Sequence, residues 1–489
     1  MLQITNNEHW LEQQVKKNAN KIVAEKSGEK YSYSEILEIT KKVAALFYEK
    51  GISQNNHVAI LSNNSIEFLI VVNALWLLGS VPVPINLRLK HDEINKLILH
   101  SECTAVVNIN TSIELERINC KNKIDFFLPL STESKKNATI DFQKRRTALL
   151  MYSSGSTGMP KCVELTFENL YSSVESFQAF TNSTDKDIWL ASLPFYHIGG
   201  FSIITRSLLI GNKIVIPESF SVKDLLKVFN ESKPSYFSVV PTVMDRLLSE
   251  NIKPWNNLKA VFIGGGPVSE KLVTGCIKTN WPIVKVYGAT ETASMVTAIN
   301  ANELKRKPAS AGKPLKNVKI KIIDGTGTEQ PIGLKGEIVI EANSVAKGYF
   351  NSDNNKIEEK KYFTNDSGSI DSDGYLYVYG RLDDTVISGG ENFNLNEIKE
   401  YVKSLDIIED CATLKVLDKT WGESYLLIVE AKAKRGKVNS EIIEKNILNG
   451  LKANIAKYKH PKKIILINKI PRNELGKLNI VELKKIIEI

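Results

Sequence analysis

The sequence predicts an α/β protein with a large N-terminal domain of two parallel, helix-covered sheets and a small β unit, followed by a small α/β C-terminal domain. Three observations lead to this prediction. The chain has 489 residues, too many for one ordinary hydrophobic core. Apolar helical stretches alternate with short β-rich runs, which is the pattern that builds parallel sheets. After about residue 310 the pattern changes to short strands of alternating polarity separated by turns.

The segment before residue 147 predicts the first parallel sheet. Its helices and strands in chain order are a helix at 34–50, a strand at 57–62, a helix at 65–79 and a strand at 81–85. The longest apolar run, 68–85, contains Asn73, Gly79 and two prolines, so it indicates a buried helix that leads into a strand. We therefore expect no membrane span.

The remaining chain predicts a second sheet, the β unit and the C-terminal domain. Strands at 147–152 and 162–166 are predicted on either side of a loop. The strands of the second half are predicted after that loop, at 188–192, 213–216, 236–240, 260–263 and 284–287. The small antiparallel β unit is predicted from strands at 318–323, 337–341 and 375–379. A helix at 395–404, further strands and a last helix before Lys477 complete the C-terminal part.

Composition and charge exclude several classes of protein. Apolar residues make up 43% of the chain and charged residues 24%, which is typical of a soluble globular protein. The net charge of +9 is concentrated after Lys432, where a single aromatic residue, Tyr458, lies among the lysines. A solvated lysine-rich surface is therefore favoured over a nucleic-acid-binding surface. A third interpretation is that a few of these basic side chains bind an acidic cofactor. Five cysteines without zinc-binding spacing, and an N-terminus without a secretion signal, predict a cytoplasmic location.

A loop between two predicted strands has the composition of a phosphate-binding site. It reads Y-S-S-G-S-T-G-M-P-K over residues 152–161, and its candidate ligands are Ser153, Ser154, Gly155, Ser156, Thr157, Gly158 and Lys161. Glycines allow the backbone to present successive N–H groups, while hydroxyls and the lysine add donors and charge. A Walker loop is excluded, because Pro160 and Cys162 stand where that motif needs a glycine and a hydroxyl. A flexible surface turn is the remaining alternative.

Three more stretches directly follow predicted strands, where open parallel sheets bind ligands. They are L-P-F-Y-H-I-G-G at 193–200, G-G-G-P at 264–267 and Y-G-A-T-E-T at 287–292. Glycines let a flat base lie against the backbone, Tyr287 can stack on that base, and Glu291 supplies a hard oxygen for magnesium. Taken singly, each stretch is more often a turn than a site.

Together and in this order, the stretches resemble the adenylate-forming superfamily, which includes acyl- and aryl-CoA synthetases, nonribosomal adenylation domains and luciferases. The resemblance runs from about residue 31 to residue 478. Further matches are F-T-N-D at 363–366, G-R-L-D-D-T-V-I-S-G-G-E-N at 380–392 and P-R-N-E-L-G-K-L at 471–478. An ordered set of this kind is very specific to the superfamily.

The resemblance implies an acid:CoA ligase that uses ATP, Mg²⁺ and coenzyme A and acts through an acyl-adenylate. The loop at 152–161 would hold the β- and γ-phosphates, Thr290 would bind the α-phosphate, and Glu291 would bind magnesium. Adenine and ribose would be held by Gly264, Gly265, Gly266, Tyr287, Gly288, Ala289, Asp366 and Arg381. Lys477 would reach the acid and the α-phosphate as charge builds in the transition state.

The resemblance also divides the chain into residues 1–380, which would bind ATP and the acid, a hinge at 381–384, and a C-terminal domain at 385–489. Rotation about Asp383 would exchange Lys477 for a tunnel that takes the pantetheine of CoA. That tunnel is assigned to Gly389, Gly390 and Glu391, since glycines let a thin chain pass closely. On their own, Asp383 could equally be a loop acid and Lys477 a surface lysine.

The stretch at 193–206 most resembles the o-succinylbenzoate:CoA ligases of menaquinone synthesis, which implies an aromatic diacid as the substrate. The carboxylate that is not activated needs a polar partner, and His197, Arg206 and Ser294 are candidates by position. His197 is also counted among the catalytic residues, with Thr290, Glu291 and Lys477. An arginine in a helix, however, is more often a surface or structural pair.

Other activities and the oligomeric state stay open. The alternatives are another aryl- or fatty-acyl-CoA synthetase and an adenylation enzyme that loads a carrier-protein thiol. A noncatalytic adenylate-binding protein is disfavoured, because it would be expected to lose Lys477 or Glu291. The chain could act as a monomer or as a homo-oligomer.

Three positions depart from the superfamily pattern. Asn365 stands where a glycine is usual, Cys162 replaces a common glycine, and residues 393–395 lack the proline often found before the helix. The effect of Asn365 on the turn that presents Asp366 stays open. None of the departures removes a charged catalytic group.

Overall fold

The computed structural model describes residues 2, 7–128, 142–153, 160–353, 356–388, 391–418, 422–432, 440–455, 457–473 and 476–489. The chain forms two compact units. The first comprises Met1–Ile320 and Val339–Phe363, and the second comprises Lys321–Ile338 and Thr364–Ile489. Among the described helices, none combines the length and the apolarity needed to span a lipid bilayer.

The first unit holds the helices that precede residue 305. They are α1 (Trp10–Asn18), α2 (Tyr33–Glu49), α3 (Ile66–Leu77), α4 (His91–His100), α5 (Phe167–Thr181), α6 (Ile198–Ile210), α7 (Val222–Ser232), α8 (Pro241–Ser249), α9 (Glu270–Lys278) and α10 (Ala301–Leu304). The strands up to residue 314 are β1 (Ile22–Lys26), β2 (Glu29–Ser32), β3 (His57–Ser62), β4 (Val81–Ile85), β5 (Cys103–Ile109), β6 (Asn122–Phe126), β7 (Thr147–Ser153), β8 (Lys161–Thr166), β9 (Ile188–Leu190), β10 (Lys213–Ile216), β11 (Tyr236–Val239), β12 (Ala260–Ile263), β13 (Ile283–Ala289), β14 (Ser294–Asn300) and β15 (Lys313–Pro314).

The later elements are shorter on average and more often antiparallel. They are β16 (Val318–Ile323), β17 (Gly336–Ala342), β18 (Gly348–Tyr349), β19 (Ile357–Glu358), β20 (Lys361–Ile370), β21 (Leu376–Arg381), β22 (Thr385–Ser388), β23 (Glu391–Asn394), α11 (Leu395–Lys403), β24 (Ile408–Asp418), β25 (Gly422–Ala431), α12 (Ser440–Asn454), β26 (Lys463–Ile467) and α13 (Ile480–Ile486).

Two sheets of the first unit are wholly or mainly parallel, as predicted. One has the order β4-β3-β5-β6 and is parallel throughout. The other has the order β15-β14-β13-β12-β11-β9-β10-β1-β2 and is parallel from β13 to β1. The N-terminal strand β1 joins this second sheet, where Ala24 pairs with Ile214. A third sheet, β18-β8-β7, is antiparallel.

Local sequence fixes where the elements near the third sheet begin. Thr166 ends β8 and caps α5 at once, because its Oγ1 accepts a hydrogen bond from the backbone N–H of Asn169 at 3.2 Å. Helix α6 has buried side chains on nearly every side, so it lies inside the unit. Its residues therefore need either apolar side chains or polar side chains with partners.

The second unit contains a sheet with apolar residues on both faces. The strand order of this sheet is β23-β22-β25-β24, and β26 also pairs with β25. One face packs against α11 and α12, with Ile398 and Ile447 fully buried. The other face buries Leu483 of α13. The prediction that the last helix precedes Lys477 is wrong, because Asn479 caps α13 after it and Leu483 anchors that helix to the sheet.

Candidate active site

The loop at 152–161 connects two antiparallel strands. Ser153 at the end of β7 pairs with Lys161 at the start of β8. This arrangement confirms the predicted order of strand, loop and strand, which differs from the strand, loop and helix of a Walker motif. Five of the predicted phosphate ligands lie outside the described residues: Ser154, Gly155, Ser156, Thr157 and Gly158.

Glu291 lies beside this loop in a single turn of 3₁₀ helix, Thr290–Thr292. It is only 6% exposed. Its Oε1 atom accepts hydrogen bonds from the Tyr349 hydroxyl at 2.9 Å and from Ser153 Oγ at 3.4 Å. No described residue donates to its other oxygen, Oε2. The fold thus brings the predicted metal-binding carboxylate to the edge of the predicted phosphate loop.

Tyr349 is a residue of this site that sequence reasoning missed. Besides its bond to Glu291, its ring lies 5.1 Å from the ammonium nitrogen of Lys161. It belongs to β18, a strand of two residues that adds to the edge of β8. A strand this short has no periodicity, so the single sequence contains no signal that marks Tyr349.

The predicted adenine-binding residues follow β12 and form part of β13. A Cβ atom on Gly264 would lie 2.7 Å from Val286 Cγ2, and one on Gly288 would lie 2.1 Å from the Ser294 carbonyl oxygen. Gly265 has a φ of 79°. The Val286 side chain therefore favours glycine at 264, the backbone of Ser294 requires it at 288, and a left-handed conformation favours it at 265. Gly266, Tyr287, Ala289 and Thr290 are half-buried and keep part of their surface accessible.

Arg206 is buried inside the first unit, with 4% of its surface exposed. Its guanidinium lies 4.2 Å from the ring centre of Phe177 and 5.1 Å from that of Trp189. Its Nη2 atom is 3.4 Å from Ser294 Oγ. Burial lowers the pKa of Arg206 to about 9. It is therefore not a surface arginine, and among the described residues it forms no ion pair.

His197 lies at the other end of α6, where it is the residue before the first helical turn. Its backbone N–H donates to the Pro194 carbonyl at 3.1 Å. Asn64 holds the same loop, because its Oδ1 accepts from the Phe195 N–H at 2.8 Å. The structure therefore brings Arg206 and Ser294 together, while His197 begins the helix that carries Arg206.

The predicted ribose-binding residues are neighbours in the second unit. Asp366 and Arg381 face each other on β20 and β21, and their side chains are 3.3 Å apart. Arg381 also lies 3.4 Å from Asp383, the predicted hinge residue. Asn365 has a φ of 60°, in the left-handed region that asparagine tolerates better than most residues. Within β20, Asn365 thus has a backbone conformation that a glycine would also favour.

Lys477 is exposed in a turn of the second unit. Its backbone N–H donates to Asn473 Oδ1 at 2.9 Å, and Gly476 before it has a φ of 72°.

Of the predicted CoA-tunnel residues, Gly389 and Gly390 lie outside the described residues, and Glu391 begins β23. Asn394 replaces the missing proline by capping α11, since its Oδ1 accepts from the Asn396 N–H at 2.8 Å.

The donor set suits magnesium held together with phosphates. The described residues contain no group of three or more His, Cys, Asp or Glu side chains placed to bind a metal ion. Magnesium is usually bound by one or two carboxylates together with phosphates and water. A single buried carboxylate with one oxygen to which no described residue donates fits that mode.

Cys162, which departs from the superfamily pattern, is buried in a hydrophobic cluster with Leu150, and burial raises the pKa of its thiol to about 12.

The fold and these residues define an AMP-binding enzyme. The chain belongs to that family: residues 11–350 match the AMP-binding enzyme domain and residues 397–477 match the AMP-binding enzyme C-terminal domain. This confirms the predicted resemblance to adenylate-forming enzymes.

Two kinds of relative resemble the whole chain. The 2-succinylbenzoate–CoA ligase of Bacillus cereus (strain AH820) is 30% identical over 98% of both chains. The ligase of the same name from Oceanobacillus iheyensis is 30% identical over 96% of this chain and 97% of its own. The structure of o-succinylbenzoate CoA synthetase from Bacillus subtilis with its acyl-adenylate intermediate has a TM-score of 0.90, at 29% identity over 98% of this chain and 99% of that one. ATP-bound MatB from Rhodopseudomonas palustris has a TM-score of 0.87, at 26% identity over 99% of both chains.

Proposed function

We propose that this chain is an AMP-forming acid:CoA ligase whose acid is 2-succinylbenzoate and which uses ATP, Mg²⁺ and CoA. Relatives with that name match 98% of the chain at 30% identity. A solved synthetase of the same substrate, with its acyl-adenylate bound, shares the fold at a TM-score of 0.90. Menaquinone synthesis as the pathway and the cytoplasm as the location belong to this proposal.

The observation that carries the choice of acid is the buried Arg206. A buried cation is costly unless an anion pairs with it, and no described residue supplies one. An aromatic diacid would provide that anion through the carboxylate that is not activated. Phe177 and Trp189 already line the guanidinium and would offer apolar contact to the ring of the acid.

The reaction has two steps. A carboxylate oxygen of the acid attacks the α-phosphorus of ATP and releases pyrophosphate, and the thiolate of CoA then attacks the acyl carbon and releases AMP. Thr290 and Lys477 would stabilise charge at the α-phosphate, and Lys161 would meet the outer phosphates. When bound between Glu291 and the phosphates, Mg²⁺ would neutralise negative charge there. His197, ahead of α6, would line the acid.

The division of the chain is also part of the proposal. Residues 1–380 would bind ATP and the acid, and residues 385–489 would carry Lys477. The hinge at 381–384 would turn about Asp383 between the two steps. The tunnel for CoA would be formed by Gly389, Gly390 and Glu391.

A panel of acids tests the substrate directly. We expect kcat/KM for 2-succinylbenzoate to exceed that for benzoate, 4-phenylbutyrate and octanoate by about 10⁴-fold, because a monoacid leaves a buried polar group unpaired. AMP release coupled to a spectroscopic assay gives these values. Pyrophosphate exchange with and without CoA shows whether CoA is the acceptor. A value for octanoate or benzoate that equals that for 2-succinylbenzoate overturns this choice of acid.

The variant Arg206→Met tests the residue that carries the argument. We expect it to lower kcat/KM for 2-succinylbenzoate by about 10²-fold, mainly through KM, and to leave that for benzoate nearly unchanged. The matched control is Arg146→Met, because Arg146 also lies over an aromatic ring, Phe167, at 5.2 Å. Equal losses for the two acids in Arg206→Met would contradict a carboxylate-binding role.

A further inference from the structure

Tyr349 joins two groups that the proposed function places on the metal and the phosphates of ATP. Its hydroxyl donates to Glu291 Oε1 at 2.9 Å, and its ring lies 5.1 Å from Lys161 Nζ. All three residues belong to the first unit. Tyr349 itself is buried. One side chain therefore contacts both the carboxylate and the lysine.

The backbone on both sides of Tyr349 is fixed to β8. Gly348 pairs with Glu164 and Tyr349 with Val163. The Phe350 N–H then donates to the Cys162 carbonyl at 2.7 Å. A two-residue strand tied in this way gives its tyrosine little freedom to move away from the edge of the loop at 152–161.

Glu291 is held by the same segment a second time. The N–H of Ala346 donates to the Glu291 carbonyl at 2.8 Å. The 3₁₀ turn that carries Glu291 is followed by Ala293, which has a left-handed φ of 53°. Segment 346–349 thus fixes the backbone of Glu291 through Ala346 and its side chain through Tyr349.

We infer that Tyr349 is a positioning residue for Mg–ATP: its hydroxyl occupies Oε1 of Glu291, which leaves Oε2 for the cation, and its ring orients Lys161. This rests on the proposed function, which assigns Glu291 to magnesium. Groups that hydrogen-bond to metal ligands typically change metal affinity by about 10 to 100-fold when they are removed. A tyrosine that only fills space would change stability and leave metal affinity alone.

The direct test measures metal binding without turnover. Mn²⁺ is titrated into the full-length protein with a nonhydrolysable ATP analogue, and free Mn²⁺ is measured by electron paramagnetic resonance. We expect Tyr349→Phe, which keeps the ring, to raise the Kd of Mn²⁺ by about 10-fold. We expect Tyr349→Leu, which also removes the ring, to weaken binding of the metal-free analogue as well, because Lys161 loses its contact.

A second buried tyrosine provides the matched control. The Tyr33 hydroxyl donates to the carbonyls of Ser207 at 3.0 Å and Asn212 at 3.2 Å. We expect Tyr33→Phe to lower thermal stability with no change in the Kd of Mn²⁺. In Tyr349→Phe, turnover should recover at high Mg²⁺, since the defect lies in metal affinity.

Two outcomes separate this inference from the proposal on which it rests. If Tyr349→Phe leaves the Kd of Mn²⁺ unchanged while Glu291→Gln raises it, the positioning role is overturned and the metal site stands. If Glu291→Gln also leaves it unchanged, the assignment of Glu291 to the metal fails, and the inference about Tyr349 fails with it.

Discussion

Under the proposed function, Lys477 would serve the adenylation half-reaction alone. It is exposed, and its turn is closed by Asn473. We expect Lys477→Ala to reduce acid-dependent ATP–pyrophosphate exchange by about 10³-fold, since it removes a preorganised charge from the α-phosphate. Thioester formation from presynthesised acyl-adenylate should stay nearly intact, as measured by CoA consumption.

The exposed Lys469 gives a control with the same change in charge. We expect Lys469→Ala to alter neither half-reaction. Equal losses of both half-reactions in Lys477→Ala would contradict the prediction that this lysine acts in adenylation alone.

The sequence alone could not identify residues whose role depends on contact with a segment far away along the chain. The polar stretches identified Glu291 and Ser153, because a strand end with glycines and hydroxyls has a recognisable composition. Tyr349 has no such context, and it becomes part of the site only when β18 pairs with β8. The sequence also could not show that Arg206 has no carboxylate partner among the described residues, because that is visible only once its neighbours are known.

Among the elements, those defined by buried β-branched runs were predicted best. Strands β3, β4 and β10 have the predicted bounds. Strand β1 was not predicted, because the sheet that accepts it forms from residues almost 200 positions later, as the pairing of Ala24 with Ile214 shows. Helix α13 was missed because its seven residues depend on burial of Leu483 against the sheet.

The 3₁₀ turn at Leu382–Asp384 contains the proposed hinge residue, Asp383. Proline has a φ near −65°, which lies within the range of a 3₁₀ helix, so Asp383→Pro should hold this conformation. We expect pyrophosphate exchange to survive in this variant. Thioester formation should fall by about 10²-fold or more, because under the proposed function the turn opens for the second step.

The side chain of Asp383 also pairs with Arg381 at 3.4 Å, so Asp383→Pro removes a charge as well as restricting the backbone φ angle. Asp383→Ala removes the charge alone and serves as the control. Similar rates in the two variants would place the pivot elsewhere. Both half-reactions are measured separately for each variant.

At the scale of the whole molecule, a buried histidine makes stability depend on pH. His9 is 5% exposed, and neither ring nitrogen has a hydrogen-bond partner in the described chain. Burial, together with the charge of Arg146, lowers the pKa of His9 from 6.5 to about 3. The unfolded chain therefore takes up the proton first as the pH falls. The contribution of neutral His9 to the free energy of unfolding is therefore present above pH 6.5 and is lost as the pH falls from 6.5 toward 3, at up to about 1.4 kcal/mol per pH unit.

His9→Leu removes this titration. We expect its free energy of unfolding, from urea titrations followed by tryptophan fluorescence, to fall less steeply between pH 6 and 4 than that of the unmodified protein. The same slope in His9→Leu and the unmodified protein would contradict the assignment to His9.

The position of β1 determines when the large sheet can be completed during synthesis. Ala24 leaves the ribosome early, but its partner Ile214 is translated 190 residues later. At roughly 5 to 20 residues per second, the hairpin of β1 and β2 waits about 10 to 40 seconds with an unpaired edge. Such edges attract other chains. The nascent chain must therefore keep its first strand soluble until nearly half of its 489 residues have been made.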